Sequence, residues 1–370
     1  MRVFVLVICM FCSSSAFAVN YPSGWPWHGV TSDVMSIERE PNIVGFFSET
    51  DIKFIRIHIS VRSIKTDKKL SSEKALLLGL ENAKKFSKKL SDVGIISMLS
   101  ISDFPVNSNE CRWKSKETYW KKNGICVNQI YKFVEKTVQV MSNSTISAYE
   151  FLAEPVTKVK INFWQDRYVQ PKEWLDICRH IIDLVRKSGD DRWLVMSLGP
   201  WALPDNYDDF VPFSDKKVVY DIHMYQPFLY AFQGIKGHKD NIKYPGIINT
   251  RSIFPIYDKH PNSFWDKKLL TEVVQPLINF QKRYSVPIFV GEFGAVIWAP
   301  NRDSYLTDSI DTFEKNSWGW AYFNIGSRWH GFDPRFAAKK KSNGKYGFEY
   351  VGHKAEGMQV LKNYFGLEKK

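Results

Sequence analysis

The chain has 370 residues, 44% hydrophobic and 24% charged, with 51 Lys and Arg against 39 Asp and Glu for a net charge of +12. No run of eighteen or more apolar residues follows the first two dozen positions, which excludes a polytopic membrane protein, and the composition excludes disorder and collagen-like repeats. Aromatic residues reach 15%, with 13 Trp and 17 Tyr, an excess that points to rings used for surface recognition as well as for packing.

Taken in chain order, residues 1–18 read as a secretory signal peptide: Arg2, an apolar run over 3–12, then small residues ending in Ala16-Phe17-Ala18. That run is too short to span a bilayer, so a secreted or periplasmic protein is expected, its mature chain 19–370 starting near Val19. Three cysteines remain. Export makes a Cys111 to Cys126 disulfide plausible, worth roughly 3 kcal/mol on a chain-entropy argument, and leaves Cys178 as a buried thiol inside a helical pattern. The eight His residues are scattered without CxxC or HExxH spacing, so no metal site is expected. The Lys clusters are short and dispersed, which favours solvated faces over a nucleic-acid surface.

Strands are predicted at 52–59, 94–102, 146–154, 193–198, 218–224, 287–292 and 318–324, with another near 21–30. Helical patterns lie between them at 72–92, 128–142, 171–188, 265–284 and 304–316, and a last one at 353–365. Repeated β-α units imply parallel strands, and about eight of them suit an α/β fold closed as a (β/α)8 TIM barrel in a single domain. A doubly wound sheet is the alternative, but no GxGxxG or GxxxxGK[ST] loop follows an early strand.

In such a barrel the catalytic groups stand at the C-terminal strand ends, and two of these are acidic: Glu154 before Pro155, and Glu292 between Gly291 and Phe293. A carboxylate leaving an apolar strand is either used or paired with a basic neighbour. Two of them about 5 Å apart are what retaining glycoside hydrolysis requires.

Here the sequence resembles the bacterial cellulases of glycoside hydrolase family 5. YEFLAEP (149–155) is similar to the family's strand-four F-E-L-L-N-E-P, and FVGEFGA (289–295) to its strand-seven G-E-F-G. IHMYQPFLYAFQG (222–234) is similar to the strand-six pattern, FIRIHIS (54–60) to strand two, and WGWAYFNIG (318–326) to strand eight. The resemblance implies a cofactor-independent retaining glycosidase on a β-linked glucan or related hemicellulose, with Glu154 as acid/base and Glu292 as nucleophile. Arg56 and Tyr225 would hold Glu292 ionised, and His223 would tune Glu154, which is expected to titrate the higher of the two. His58 either joins them or is a packed barrel residue.

Three positions depart from the family pattern. Ala153 replaces the Asn before the acid/base, Ser102 stands where strand three usually ends in His, and Phe323 replaces the strand-eight Trp. Substrate platforms are expected at Trp25, Trp27, Trp201, Trp298, Trp329 and Phe323, because a pyranose ring stacks its C–H face on an aromatic ring. Trp174, Trp193 and Trp265 are expected in the core. The partner is a polysaccharide or oligosaccharide, with no nucleic acid and a monomeric protein expected. The rival reading is a carbohydrate-binding pseudoenzyme on the same barrel. Asn143-Ser144-Thr145 is a glycosylation sequence whose use depends on the host.

Overall fold

Eight short runs rich in β-branched and aromatic residues form the strands, and each is parallel to both neighbours. They are β1 (His28–Asp33), β2 (Phe54–Ser60), β3 (Ile96–Asp103), β4 (Ala148–Phe151), β5 (Trp193–Ser197), β6 (Val218–Met224), β7 (Ile288–Phe293) and β8 (Gly319–Ile325). They follow one another around a closed barrel, β8 returning to pair with β1. The computed structural model describes residues 20–103, 111, 116–162, 165–235, 238–249, 260–342 and 344–366; the expected signal peptide lies outside them.

The helices close the outside because their apolar residues recur at helical spacing. In Ser72–Asp92, Ala75, Leu76, Gly79, Leu80, Ala83, Phe86 and Leu90 are buried, and Ser71 caps the start by accepting from the Lys74 N–H at 3.3 Å. The expected helix over 265–284 divides into Lys267–Val273 and Gln275–Tyr284. Pro276 supplies no N–H and its ring crowds the carbonyl one turn back, so the chain restarts there. Three antiparallel strand pairs escaped the sequence reading: Thr157–Asn162 with Gln165–Val169, Gly246–Ile248 with Ser263–Trp265, and Phe336–Lys340 with Tyr346–Tyr350. Among the described residues no helix is long and apolar enough to cross a membrane.

Strand alternation sorts side chains into a shell and a lumen. Ile55, Ile57 and Ile59 of β2 join the large outer core, whereas Phe54 and Arg56 point inward. The lower lumen is a separate apolar cluster of strand-initial residues: Phe54, Met98, Ala148, Trp193, Val219 and Phe289, closed by Trp27. Trp27 stacks on Phe54 at 4.8 Å and meets Phe289 edge-on at 6.0 Å. Trp25 lies against Trp27 at 5.3 Å and packs beside Gly319, the first residue of β8. Both belong to the barrel floor, away from the strand C-termini, which corrects the expectation that they are sugar platforms. Trp174, Trp193 and Trp265 are core residues, Cys178 is a buried free thiol, and Cys111 is bonded to Cys126 with Cα atoms 5.5 Å apart.

Candidate active site

Above the floor the lumen turns polar. On β2 the next inward residue is Arg56, with no exposed surface. Its Nε donates to Glu150 Oε2 at 2.9 Å and its Nη1 to Glu292 Oε1 at 3.0 Å, so one guanidinium ties β4 to β7. Tyr225 donates its hydroxyl to Glu292 Oε2 at 3.0 Å. Burial works against ionisation of Glu292, but the charges of His223, Arg56 and His58 and the Tyr225 bond outweigh it and bring its pKa to about 2.

Glu292 reaches this position through an irregularity. The pairing of β7 slips between Val290 and Glu292 against β6, and between Val290 and Phe293 against β8. A bulge sends Gly291 and Glu292 to the lumen in succession while Phe293 stays in the outer core. Gly291 is required because a Cβ there would stand 2.5 Å from Asp221 Oδ1.

Glu154 is delivered differently. The sequence expects a strand through 154, but β4 ends at Phe151, and Leu152 and Glu154 take left-handed backbone with φ of 61° and 55°. Such residues cost on the order of 1–3 kcal/mol each and persist where the surroundings fix them. The turn brings Glu154 Oε1 to 2.8 Å from His223 Nδ1. Asp221 Oδ2 stands 3.3 Å from the other nitrogen, His223 Nε2. Burial disfavours a charged His223, yet Glu292, Asp221 and Glu154 around it prevail and lift its pKa well above the ordinary value. Burial likewise raises the Asp221 carboxyl and His223 draws it back; of this pair His223 carries the proton, because three carboxylates face it.

Two clusters have ligand atoms close enough for a cation: Glu150, Asp221 and His223, and Glu154, His223 and Glu292, each within 4.8 Å. Each already holds a cationic partner, Arg56 at 2.8 Å from Glu150 in the first and His223 at the centre of the second. The same 4.8 Å bounds an oxygen of Glu154 and one of Glu292. These residues open into a cavity of about 280 Å³ walled by Trp201, Phe228, Phe232 and Phe323.

Sequence reading therefore brings Glu154, Glu292, Arg56, His223, Tyr225, Trp201 and Phe323 to one place. His58 packs edge-on to Phe323 at 6.3 Å, and its pKa is lowered by burial and by Arg56. Trp298 and Trp329 follow β7 and β8 and touch edge-on at 6.2 Å, outside the lining of this cavity. Ser102 points its hydroxyl to the Ile59 carbonyl at 3.4 Å, and Asp103 reaches across to the start of the helix Val61–Lys68 after β2, accepting from the Val61 and Arg62 N–H groups, both at 2.9 Å. Ala153 is buried. Glu150 and Asp221 are the residues the sequence reading missed. Asp221 lies two positions before His223 and Glu150 four before Glu154; for Asp221 the period of two along β6 was the available signal.

Similarity to known proteins agrees with this geometry. Residues 20–328 match the model of the family Cellulase (glycosyl hydrolase family 5). Endoglucanase C of Acetivibrio thermocellus is 23% identical over 166 residues, 41% of this chain and 48% of that protein, so the chain spans about half the length of the curated relatives it matches. Among solved structures, the cellulose synthase subunit Z of Clostridioides difficile superposes with a TM-score of 0.61 at 17% identity, over 93% of this chain and 96% of that one. Thermotoga maritima Cel5A, solved with mannotriose, gives 0.61 at 14% identity over 91% and 97%. With a family match across most of its length and a closed parallel barrel beneath it, the chain belongs to the cellulase family, glycosyl hydrolase family 5.

Proposed function

We propose that the protein is a retaining glycoside hydrolase acting on a β-linked glucan or related hemicellulose. The observation that carries this reading is the pair of carboxylates at the mouth with oxygens within 4.8 Å, one of them clamped in its ionised form by Arg56 and Tyr225. Retaining enzymes hold their carboxyl groups about 5 Å apart, whereas inverting ones leave room for a water between them. Glu292 attacks the anomeric carbon as the bond to the leaving oxygen breaks, and that oxygen takes the proton of Glu154. Water then attacks the same carbon, gives a proton to Glu154 and frees Glu292. Trp201 and Phe323 supply ring faces for the sugar. Export by residues 1–18 and a single monomeric barrel domain complete the reading.

Incubation with a panel of β-glucans, mannans and xylans, with product anomers followed by NMR, tests it: retained β-anomers support double displacement, and inverted products or none refute it. Ala153→Asn sharpens the test. Asn at this position restores a bond to the sugar 2-hydroxyl, and turnover on a glucan rises roughly tenfold if about 1.4 kcal/mol of transition-state contact is recovered. If wild type and Ala153→Asn are both inert on every glycan yet bind one, the pseudoenzyme reading replaces this one.

A further inference from the structure

Asp221 is fully buried below the carboxylate pair, and nothing in the two-step chemistry uses it directly. Each of its oxygens nonetheless meets a different half of the site. Oδ1 accepts the Gly291 N–H at 2.7 Å, inside the bulge that presents Glu292. Oδ2 stands 3.3 Å from His223 Nε2, while His223 Nδ1 is 2.8 Å from Glu154 and 3.7 Å from Glu292. The remaining charged neighbours are Glu150, within 4.8 Å of Asp221 and His223, and Arg56, bound to Glu150.

We propose that Asp221 is a positioning residue for both carboxylates: through Gly291 it holds the bulge that turns Glu292 inward, and through His223 it fixes which imidazole nitrogen trades a proton with Glu154. The chemistry follows from charge and acceptor capacity. The contact at 3.3 Å is an ion pair outside hydrogen-bond geometry, but an ionised carboxylate only accepts, so its field favours keeping hydrogen on the nitrogen that faces it in either charge state of the ring. Loss of a proton from His223 therefore occurs at Nδ1, and the neutral ring offers Nδ1 as an acceptor to protonated Glu154. The acid form of Glu154 then has a partner, as does its carboxylate when Nδ1 is protonated. One proton moves along a bond of fixed geometry. Gly291 serves the same device, since any side chain there would push Asp221 Oδ1 away.

This inference rests on the glycosidase reading, and Asp221→Asn separates the two. The amide oxygen still accepts from Gly291, but the amide N–H faces His223 Nε2, which makes Nε2 the acceptor and puts the hydrogen of the neutral ring on Nδ1. Glu154 then loses the acceptor for its acidic proton. On a cello-oligosaccharide, whose leaving group needs that proton, kcat/KM is expected to fall roughly a hundredfold. On the matching 2,4-dinitrophenyl glycoside, whose leaving group does not, the fall is about threefold, and labelling of Glu292 by the 2-deoxy-2-fluoro analogue continues. Asp221→Ala removes both contacts and lowers both rates. An equal loss on the two substrates in Asp221→Asn marks a merely structural residue and overturns the proposal. So does an unchanged pattern of imidazole nitrogen shifts for His223 in wild type and Asp221→Asn by NMR, a measurement that needs no turnover. If wild type is inert on both glycosides and Glu292 is not labelled, the glycosidase reading fails, and the nitrogen shifts still decide the role of Asp221.

Discussion

The floor and the mouth of this barrel are built by the same strands on the same alternation, yet they are opposite environments. Along β2 alone the inward residues run Phe54, Arg56, His58, from the apolar plug to the charged site within one strand. The floor is held by ring packing such as Trp27 on Phe54 at 4.8 Å, which depends on shape and burial. The layer above is held by ion pairs taken out of water, Arg56 with Glu150 and Glu292 and His223 with Glu154, which are costly to desolvate unless every charge meets a partner. A Trp at the lower end therefore packs the barrel, whereas the Glu at the upper end is presented at the expense of left-handed backbone at Leu152 and Glu154. Place along the strand decides between these roles more than residue type does.

Removing one group from each end breaks the comparison open. Glu292→Gln is isosteric and leaves Tyr225 a partner, so the fold is expected to persist while turnover is abolished, measured as product release and as loss of covalent labelling. Trp27→Ala should do the reverse. Emptying a fully buried Trp site costs about 3–5 kcal/mol, read as a lower unfolding midpoint in urea, with kcat of the folded fraction unchanged. A large kcat loss in Trp27→Ala would mean that the floor is coupled to the mouth and that the two ends are not separable.

Much of this was legible in the sequence. The barrel follows from eight alternating β-α units, and Glu154, Glu292, Arg56, His223 and Tyr225 follow from motifs at strand ends. Trp25 and Trp27 are misplaced because the first strand is expected near 21–30, whereas β1 begins at His28; both therefore precede it and sit at the N-terminal end of the parallel barrel, which is the floor. Asp221 escaped because an inward carboxylate two residues below His223 reads as an ordinary strand residue until its partners on β7 are known. The hairpins at 157–169 and 336–350 escaped for another reason. Their strands are five or six residues long, and those of the second hairpin mix exposed with half-buried positions, so they lack the continuous apolar run that marks a barrel strand.

Acid should unsettle the mouth before the floor. Glu292 has a folded pKa of about 2 against an ordinary 4.5, so its contribution to stability is complete above 4.5 and is lost as pH falls through 2. His223 is raised instead, so its contribution is complete below its ordinary 6.5 and is lost as pH rises through the folded value. Urea unfolding followed from about pH 6 to about pH 2 should show a steeper loss for wild type than for Glu292→Gln, which has no such group to titrate. Equal slopes would mean that the Glu292 charge does not support the mouth.

The smallest expected effect separates two Trp residues that sequence alone treats alike. Trp298 and Trp329 both follow strand C-termini at the mouth, but their ring faces differ. Trp298 is stacked on Tyr346 at 4.3 Å with planes 12° apart, and its Nε1 donates to the Gln233 carbonyl at 3.0 Å, so one face is covered and the ring direction is fixed. It fastens the 336–350 hairpin to the barrel. Trp329 is 45% exposed and touches Trp298 and Phe332 at 6.2 and 5.8 Å without parallel stacking. A sugar needs a bare ring face, and only Trp329 of the two presents so much open surface. Trp329→Ala should therefore raise KM about fivefold on long chains, the worth of roughly 1 kcal/mol of stacking, with kcat held and short substrates unaffected. Trp298→Ala should instead expose the hairpin to proteolysis, with a smaller change in KM. If the two variants exchange these outcomes, Trp298 is the platform, and the Tyr346 stack must open to admit the sugar.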